Sequence, residues 1–341
     1  RYLAQAVNSA LGQDDVIVDV VIGDDSSSDN SLEVARELAA RDSRVAVIAN
    51  PKNLGAPGAF NRGLAEARGE FLVRLDADDL LTPGSLGRAI AVMQSFPNVG
   101  LVYGHPLHFV GDQLPPPRLA ARWWTTWLGH EWLALRCADG TNVITSPEVV
   151  IRRSILEKVG GMRPLAHTHD MELWLRVSAH SDVAYVGGVD QAWHREHPSS
   201  LSNQAENPTV ILSELRAAFE ELFSSLSDTY PEKAELRAIS RRAVSRQAIA
   251  QARRIVDRGH HAPLVEQLCS FALDTDPTIA LTAAWRRLER RRARSLPRAW
   301  AMLSGATARL GRRLTVAVRG RRWSRTGVYE RIHRRNGSAV R

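Results

Sequence analysis

The strongest constraint on the fold is an alternation of short aliphatic segments with amphipathic helices along the first hundred residues. The aliphatic segments are rich in β-branched residues, which is typical of strands buried on both faces of a parallel sheet. The predicted strands are 16–23, 45–49, 70–76 and 99–104, and the predicted helices cover 1–12, the stretch through Leu32 and Ala39, 58–68 and the residues after Pro83. Because short connections join these segments, the pattern predicts an α/β layer with a mainly parallel sheet.

The later part of the chain follows a different pattern. From about Asn207 the apolar spacing is helical throughout, and from Trp285 the chain becomes rich in arginine. Residues 285–341 hold 18 Arg, no Lys and 2 Glu, although the whole chain of 341 residues has a net charge of only +8. An acidic body with a basic tail indicates an anionic partner for the tail.

Composition excludes several other classes of protein. Cys137 and Cys269 are the only cysteines, and they lie too far apart in sequence to suggest a zinc motif or a disulfide framework. The sequence contains no apolar run of about 18–20 residues, which a membrane span requires. The chain begins at Arg1, within a predicted helix, so we expect that an N-terminal piece is missing.

Acidic residues follow two of the predicted strands directly. Asp24 and Asp25 end the first strand, and Asp76, Asp78 and Asp79 end the third. Ligands of a parallel α/β sheet bind beyond the carboxyl ends of its strands. Clustered carboxylates repel one another unless a cation or hydrogen-bond donors compensate, and a hard ion such as Mg²⁺ or Mn²⁺ suits an Asp-x-Asp pattern.

Some of these acids have a simpler explanation as turn or cap residues. Asp29 is predicted to cap the second helix, and Thr82, followed by Pro83, is predicted to cap the fourth. We expect Asp79 to support the turn into that fourth helix. A cap needs only one acid, so Asp76 and Asp78 are left for ligand binding.

Three segments together resemble a known family. They are "VVIGDDSSSDNS", "NPKNLGAPGAFNRGLAEARGEFLVRLDADD" and "HDMELWLR". In this order and spacing they resemble the family 2 inverting glycosyltransferases of GT-A fold, over roughly residues 1–205. The resemblance implies a Rossmann-like, mainly parallel sheet whose opening strand would precede residue 1.

The resemblance also implies roles for individual residues. Members transfer a sugar from a nucleoside-diphosphate sugar to an acceptor hydroxyl with the help of Mg²⁺ or Mn²⁺. By resemblance, the metal ligand would be Asp78. The residues implied to contact the donor are Asp24, Asp25, Asn53, Gly55, Asn61 and Asp76. Many relatives carry Arg directly before this Asn, whereas here Phe60 precedes it and Arg62 follows.

Two later segments supply the remaining implied site residues. Asp170, in "AHTHDMELWLR", falls on the position of the family's catalytic base, with His169 where many members have Glu. A simple cap of the following helix is the structural alternative for Asp170. In "WHREHPSSLS", His197 is the better match to a histidine that completes the metal or diphosphate site, and His194 is the neighbour to exclude. Arg195 between them could neutralise diphosphate charge.

The region between these motifs is harder to interpret. The tryptophan cluster at Trp123, Trp124, Trp127 and Trp132 is predicted to be core, with an acceptor-facing wall as the alternative. Residues 141–165 match the family's strand and helix ahead of the base, and Gly160 is a helix C-terminal signal. We expect this stretch to border the acceptor.

The basic tail admits three interpretations. Trp300, Leu303, Leu310, Leu314 and Val318 share one helical face, which favours binding to an anionic membrane surface. A helix packed on the acidic body is an equally good explanation. Nucleic acid ranks third as a partner, since no recognised nucleic-acid module accompanies the arginines.

The sequence therefore predicts a GT-A domain over 1–205, a helical extension over 206–284 and a basic tail over 285–341. The predicted activity is metal-dependent, inverting sugar transfer to a saccharide or lipid-linked saccharide in the synthesis of cell-surface polysaccharide, glycolipid or glycoconjugate. The alternatives are a nucleotidyltransferase and a non-catalytic protein that binds anionic surfaces. The expected location is cytoplasmic, at the inner face of the membrane if the tail binds lipid.

Overall fold

The computed structural model describes residues 2–197, 207–257, 263–293 and 316–329. Helices and strands alternate through about the first hundred residues, as predicted, apart from two short consecutive strands at 71–72 and 80–81. The strands are β1 (Val20–Asp24), β2 (Val45–Ala49), β3 (Phe71–Leu72), β4 (Leu80–Leu81), β5 (Val99–Val110), β6 (Trp123–Trp127), β7 (Val150–Arg152) and β8 (Asp182–Glu196). The helices between them are α1 (Leu3–Leu11), α2 (Ser31–Arg41), α3 (Gly55–Glu66), α4 (Ser85–Ser95), α5 (Gly129–Asp139), α6 (Arg153–Val159) and α7 (His169–Ser178).

The described residues after Asn207 are helical, which confirms the sequence-based expectation. The elements are α8 (Pro208–Ser225), α9 (Lys233–Val256), α10 (Pro263–Thr275), a 3₁₀ turn (Pro277–Leu281), α11 (Ala283–Arg292) and α12 over 316–326. Asn207 accepts a hydrogen bond from Thr209 N at 3.0 Å and so caps α8. Every helix in the described ranges is too short or too polar to span a lipid bilayer.

The strands form two sheets. β1 pairs with β2 in parallel, and the second sheet has the order β3-β7-β5-β8-β4, with β6 also pairing with β8. Its longest ladder, β5 on β8, is parallel, whereas β3, β4, β6 and β7 pair in antiparallel register. Most of the paired residues lie in the two parallel ladders, so the predicted mainly parallel α/β class is confirmed, with antiparallel strands added beside it.

Two predicted strands are shorter in the structure. The first starts at Val20, because Ile17 ahead of it is 98% exposed and lies outside the sheet. The third is limited to two residues that pair with β7, and residues 73–76 continue without a ladder. An aliphatic run indicates burial, but it does not provide a hydrogen-bonding neighbour along its whole length.

Two predicted caps need correction. Thr82 does not cap α4: its hydroxyl donates to the backbone oxygen of Asp190 at 2.6 Å, and the helix begins after Gly84 in left-handed conformation. Asp29 lies one residue before the N-cap of α2 and accepts the Ser31 amide at 3.0 Å. The prediction for Gly160 is confirmed, since it follows the last residue of α6.

One hydrophobic core joins the α/β domain to the helical extension. Trp132, Leu173 and Tyr185 of the first part pack in the same buried cluster as Phe219 and Leu268 of the extension. Within the tryptophan cluster, Trp127 and Trp132 are core residues as predicted, whereas Trp124 is 43% exposed. The extension is therefore packed against the elements that carry the later site residues.

The described part of the tail is packed on the body. Trp323 of α12 donates to Val143 O at 2.9 Å, and Arg319 lies 2.9 Å from Asp139. Tyr103 donates to Gly327 O at 2.7 Å, and Val328 is fully buried. This favours the packed-helix interpretation for residues 316–329. Trp300, Leu303, Leu310 and Leu314 of the predicted amphipathic face lie outside the described residues.

Candidate active site

Asp24 and Asp25 lie at the carboxyl end of β1, as predicted. Asp24 is buried, and its carboxylate accepts the Ser27 amide at 3.3 Å. Asp25 is only partly buried, and its Oδ1 accepts from Asn50 Nδ2 at 3.0 Å and from Leu54 N at 2.9 Å. Asp24 therefore shapes its own turn, whereas Asp25 ties this strand end to the loop ahead of α3.

Asn53 and Gly55 shape that loop. Asn53 Oδ1 accepts the Gly55 amide at 3.0 Å, and Gly55 has a φ of +72°, a region that favours glycine. Asn61, near the middle of α3, holds a distant backbone segment: it donates to Met162 O at 2.9 Å and accepts from Met162 N at 2.8 Å. The contact of Asn61 with the donor remains a prediction, but the structure adds a bracing role.

Asp76 lies after β3 beside a basic residue that the sequence analysis overlooked. Arg74 Nη2 is 2.6 Å from Asp76 Oδ1, and the arginine side chain is 12% exposed. Alternation along an extended segment puts residues 74 and 76 on one side, which was the signal available in the sequence. The guanidinium partly neutralises the acids at this strand end.

Asp78 and His197 are brought together as the resemblance implied. His197 Nε2 lies 2.7 Å from Asp78 Oδ2, although 119 residues separate them along the chain. Both side chains are partly exposed, at 25% and 32% for the histidine and the aspartate. An imidazole nitrogen and a carboxylate oxygen thus meet at the surface of the strand-end cluster.

Asp79 does not support the turn into α4, which corrects that prediction. Its carboxylate is buried, accepts the Arg195 amide at 2.9 Å and lies 3.1 Å from His194 Nδ1. Burial favours the neutral His194 ring, but the hydrogen bond and charge of Asp79 outweigh it and raise the pKa of His194. His194 is therefore occupied by Asp79, while His197 is the histidine at Asp78.

Arg195 is a structural residue, contrary to the suggestion that it neutralises diphosphate. Its side chain is 1% exposed, and its guanidinium carbon lies 3.9 Å from the centre of the Tyr2 ring and 4.5 Å from that of Phe109. Its Nε donates to Asp78 O at 3.0 Å. The arginine thus fixes the backbone of Asp78.

Asp170 lies in the first turn of α7. Its Oδ1 accepts the Met171 amide at 2.6 Å and its Oδ2 accepts the Ser146 hydroxyl at 3.0 Å. Burial raises the pKa of Asp170, and the charges of His169 and Arg74 oppose that effect. The N-cap of the helix is Thr168, so capping alone does not explain the position of Asp170.

Glu148 is a further buried acid, and sequence reasoning missed it. It is 2% exposed, and burial raises its pKa to about 7. Its oxygens accept the amides of Thr145 at 2.6 Å and Ser146 at 3.2 Å. A charged residue within the apolar stretch that leads into β7 was the available signal.

A shallow cavity of about 350 Å³ lies between α3 and the segment ahead of α7. It is lined by Leu54, Pro57, Gly58, Asn61, Met162, Pro164, Leu165 and Ala166. The loop that holds Asp25 and the segment that leads to Asp170 thus share one surface.

The residues fit a divalent cation of the kind predicted. In the described ranges no group of three or more His, Cys, Asp or Glu side chains could hold a metal. A pair such as Asp78 and His197 still suits Mn²⁺ or Mg²⁺, because these ions are often held by one or two protein side chains together with substrate phosphates.

Sequence comparisons give a consistent family. Residues 1–160 match the model described as Glycosyl transferase family 2. An uncharacterised glycosyltransferase of Nostoc sp. is 40% identical over 103 residues, which are 30% of this chain and 32% of the relative. The Escherichia coli UDP-Glc:alpha-D-GlcNAc-diphosphoundecaprenol beta-1,3-glucosyltransferase WfgD is 27% identical over 207 residues, 59% of this chain and 74% of WfgD.

The solved structures agree on the fold. Staphylococcus aureus TarS 1–349 in complex with UDP-GlcNAc matches with a TM-score of 0.57 and 17% identity, over 80% of this chain and 76% of the TarS chain. This likeness confirms the predicted GT-A architecture. Residues 1–160 of this chain therefore match the family 2 glycosyltransferases, with the GT-A fold that the resemblance of three sequence segments had implied.

Proposed function

We propose that this protein transfers a sugar from a nucleoside-diphosphate sugar to an acceptor hydroxyl, with inversion at the anomeric carbon and with help from Mg²⁺ or Mn²⁺. The contact that carries the proposal is the 2.7 Å approach of His197 Nε2 to Asp78 Oδ2. Two residues so far apart in the chain, each implied by resemblance to serve the metal or diphosphate, meet at the predicted strand end.

Asp170 is the proposed base. In an inverting transfer, one carboxylate accepts the proton of the acceptor hydroxyl while its oxygen attacks the anomeric carbon. The raised pKa of Asp170 favours this role, because a stronger base accepts the proton more readily. Donors on both carboxylate oxygens orient the group.

Asp78 and His197 would hold the cation, and Asp25 and Asp76 would bind the nucleoside and sugar hydroxyls. When bound, the cation supplies positive charge that stabilises the departing diphosphate. Arg74, held 2.6 Å from Asp76, limits the repulsion among the carboxylates before the donor arrives.

The donor and acceptor classes are proposed by similarity. TarS is described with UDP-GlcNAc, and WfgD is named for UDP-glucose and a diphosphoundecaprenol-linked sugar. We therefore propose a uridine-diphosphate sugar as donor and a saccharide or lipid-linked saccharide as acceptor. Binding of the basic tail to an anionic membrane would place the enzyme at such an acceptor, and this remains a prediction.

The test begins with a thermal-shift screen of UDP-glucose, UDP-GlcNAc and GDP-mannose, each with Mn²⁺, Mg²⁺ or chelator. We expect a donor to raise Tm only when a metal is present. The selected donor is then used to measure sugar transfer or hydrolysis by Asp78→Asn and Asp170→Asn.

Both variants should lose at least a hundredfold in kcat, since each removes a group needed in the transition state. Asp228→Asn, in an exposed loop of the extension, is the matched control and should retain full activity. Wild-type turnover in both site variants would contradict the proposal.

A further inference from the structure

The segment 145–148 holds its backbone in an unusual conformation beside the proposed base. Ser146 has a φ of +128°, which L-residues with a Cβ rarely adopt. The residue is 4% exposed, so the strained backbone is part of the interior. Such strain persists only where the surrounding contacts enforce it.

Glu148 supplies those contacts. Its two carboxylate oxygens accept the amides of Thr145 and Ser146, at 2.6 and 3.2 Å. The turn is closed by the Val149 amide, which donates to Ser146 O at 3.1 Å. Because the carboxylate is buried, it has little water to compete for these amides, and the turn is held in one shape.

The turn directs the Ser146 hydroxyl at Asp170. Ser146 Oγ donates to Asp170 Oδ2 at 3.0 Å. Asn142 Nδ2 approaches the same oxygen at a longer 3.4 Å, while the Met171 amide occupies Oδ1. Of these two side-chain donors to the carboxylate, the serine thus makes the shorter hydrogen bond.

We propose that Ser146 is a positioning residue for Asp170, and that Glu148 acts on the base through Ser146. This inference rests on the proposed role of Asp170 as the base. The serine hydroxyl stabilises the charged carboxylate and sets its rotation, while the Glu148 carboxylate keeps the serine backbone in the conformation that makes the bond.

The sign of the effect on Asp170 follows from the donor. A hydroxyl that donates to the carboxylate stabilises its charged form, so loss of the hydroxyl raises the pKa of Asp170. The charges of His169 and Arg74 lower the pKa of Asp170, and the substitutions leave both residues in place. Glu148→Gln can remove but never add negative charge near Asp170, so it cannot raise the pKa of Asp170 by charge alone, and a rise in this variant identifies the route through Ser146.

The experiment compares Ser146→Ala with Ser146→Gly in the full chain. Both variants lose the hydroxyl, but glycine relieves the backbone strain and alanine keeps it. The pKa of Asp170 is measured by NMR of ¹³Cγ-labelled aspartate without any donor, with Asp170→Asn identifying its signal. We expect a rise of about one pH unit in both variants, and a higher Tm for Ser146→Gly than for Ser146→Ala.

Turnover gives the second readout. With the donor chosen by the thermal-shift screen, both serine variants should lose about tenfold in kcat with KM little changed, although their stabilities differ. The double variant Ser146→Ala with Glu148→Gln should change the pKa of Asp170 no more than Ser146→Ala alone.

Three outcomes would overturn the inference. They are an unchanged Asp170 pKa in both serine variants, activity losses that simply follow Tm, and effects of Ser146 and Glu148 that add in full. Full activity in Asp170→Asn would instead overturn the proposed function, so the two failures are distinguishable.

Discussion

The pairing of Asp78 with His197 shows how much depends on single residues in this site. His197 Nε2 lies 2.7 Å from Asp78 Oδ2, and part of each side chain is open to solvent. The neighbouring pair, Asp79 and His194, has the same composition but is more enclosed, with Asp79 only 1% exposed. The difference in exposure makes the first pair suited to bind a ligand and the second suited to hold the loop.

Substitution of His197 tests this distinction directly. With a nucleotide sugar present, we expect His197→Ala to need at least a tenfold higher Mn²⁺ concentration for the same Tm increase, because one of two proposed protein ligands is lost. His194→Ala should instead lower Tm without metal, since it leaves the buried Asp79 without its imidazole partner. Thermal shift across a Mn²⁺ titration measures both effects, and identical behaviour of the two variants would contradict the assignment.

Glu148 should make stability depend on pH. Its pKa is raised from 4.5 to about 7 in the folded protein, so the folded state holds this proton more tightly than the unfolded state. This tighter proton binding adds up to about 3 kcal/mol to the free energy of unfolding. The contribution is fully present below about pH 4.5 and is lost as the pH rises through about 7.

The check is urea unfolding of the wild type and Glu148→Gln at pH 5 and pH 8. The wild-type advantage over the variant should be larger at pH 5. An advantage that grows with pH would show that Glu148 is held as a stabilised carboxylate.

At the scale of elements, α3 and the segment after α6 are joined by one side chain. Asn61 makes two hydrogen bonds to the Met162 backbone, and a Cβ at Gly161 would lie 2.0 Å from Asn61 Oδ1. Both elements line the cavity beside the loop that holds Asp25. The two hydrogen bonds of Asn61 therefore set the width of this cavity.

We predict that Asn61→Ala lowers the free energy of unfolding by about 1–3 kcal/mol, because two buried backbone groups lose their partner. Asn61→Asp should also destabilise, since a carboxylate cannot donate to Met162 O. Urea unfolding measures both, with the exposed neighbour Arg62→Ala as control. A loss no larger than that of Arg62→Ala would exclude the bracing role.

The segment 140–148 is held by several elements. Gln247 of α9 donates to Gly140 O at 2.8 Å, and Trp323 of α12 donates to Val143 O at 2.9 Å. This segment carries Ser146, which donates to Asp170. The helical extension and the described part of the tail therefore contribute to the shape of the proposed active site.

For the whole molecule, this arrangement predicts that the tail is needed for more than membrane contact. Deletion of residues 316–341 removes the buried Val328 and leaves Tyr103 without its partner at Gly327 O. We expect the Tm to fall by several degrees and sugar transfer, measured without detergent, to be lost. Trp323→Phe is a milder change than the deletion, since it keeps an aromatic ring but removes the hydrogen bond to Val143 O. It should lower the free energy of unfolding by about 1 kcal/mol.

The membrane hypothesis predicts a different result for the same deletion. If the tail served only to bind lipid, the truncated protein would keep its Tm and its activity on a soluble acceptor. It would lose only binding to vesicles that contain anionic lipid, measured by co-sedimentation at low and high salt. The two measurements together separate packing from lipid binding.

The sequence by itself determined the α/β class, the helical extension and the acids at the ends of two strands. Periodicity reports burial, and motif order reports family, because both depend on residues that are close in sequence. The resemblance also implied the pairing of Asp78 with His197, which the structure then brought to 2.7 Å. Local spacing could not have shown that pairing by itself.

Only the tertiary structure decided which charged residues are buried and which partners they contact. Asp79 was expected in a turn and is buried against His194, while Arg195 was expected near diphosphate and is enclosed by Tyr2 and Phe109. Glu148 lies in no motif that the sequence analysis recognised, yet it holds the turn beside Asp170 in shape. These roles depend on burial and on partners distant in sequence, and a charge in a sequence has neither until the chain has folded.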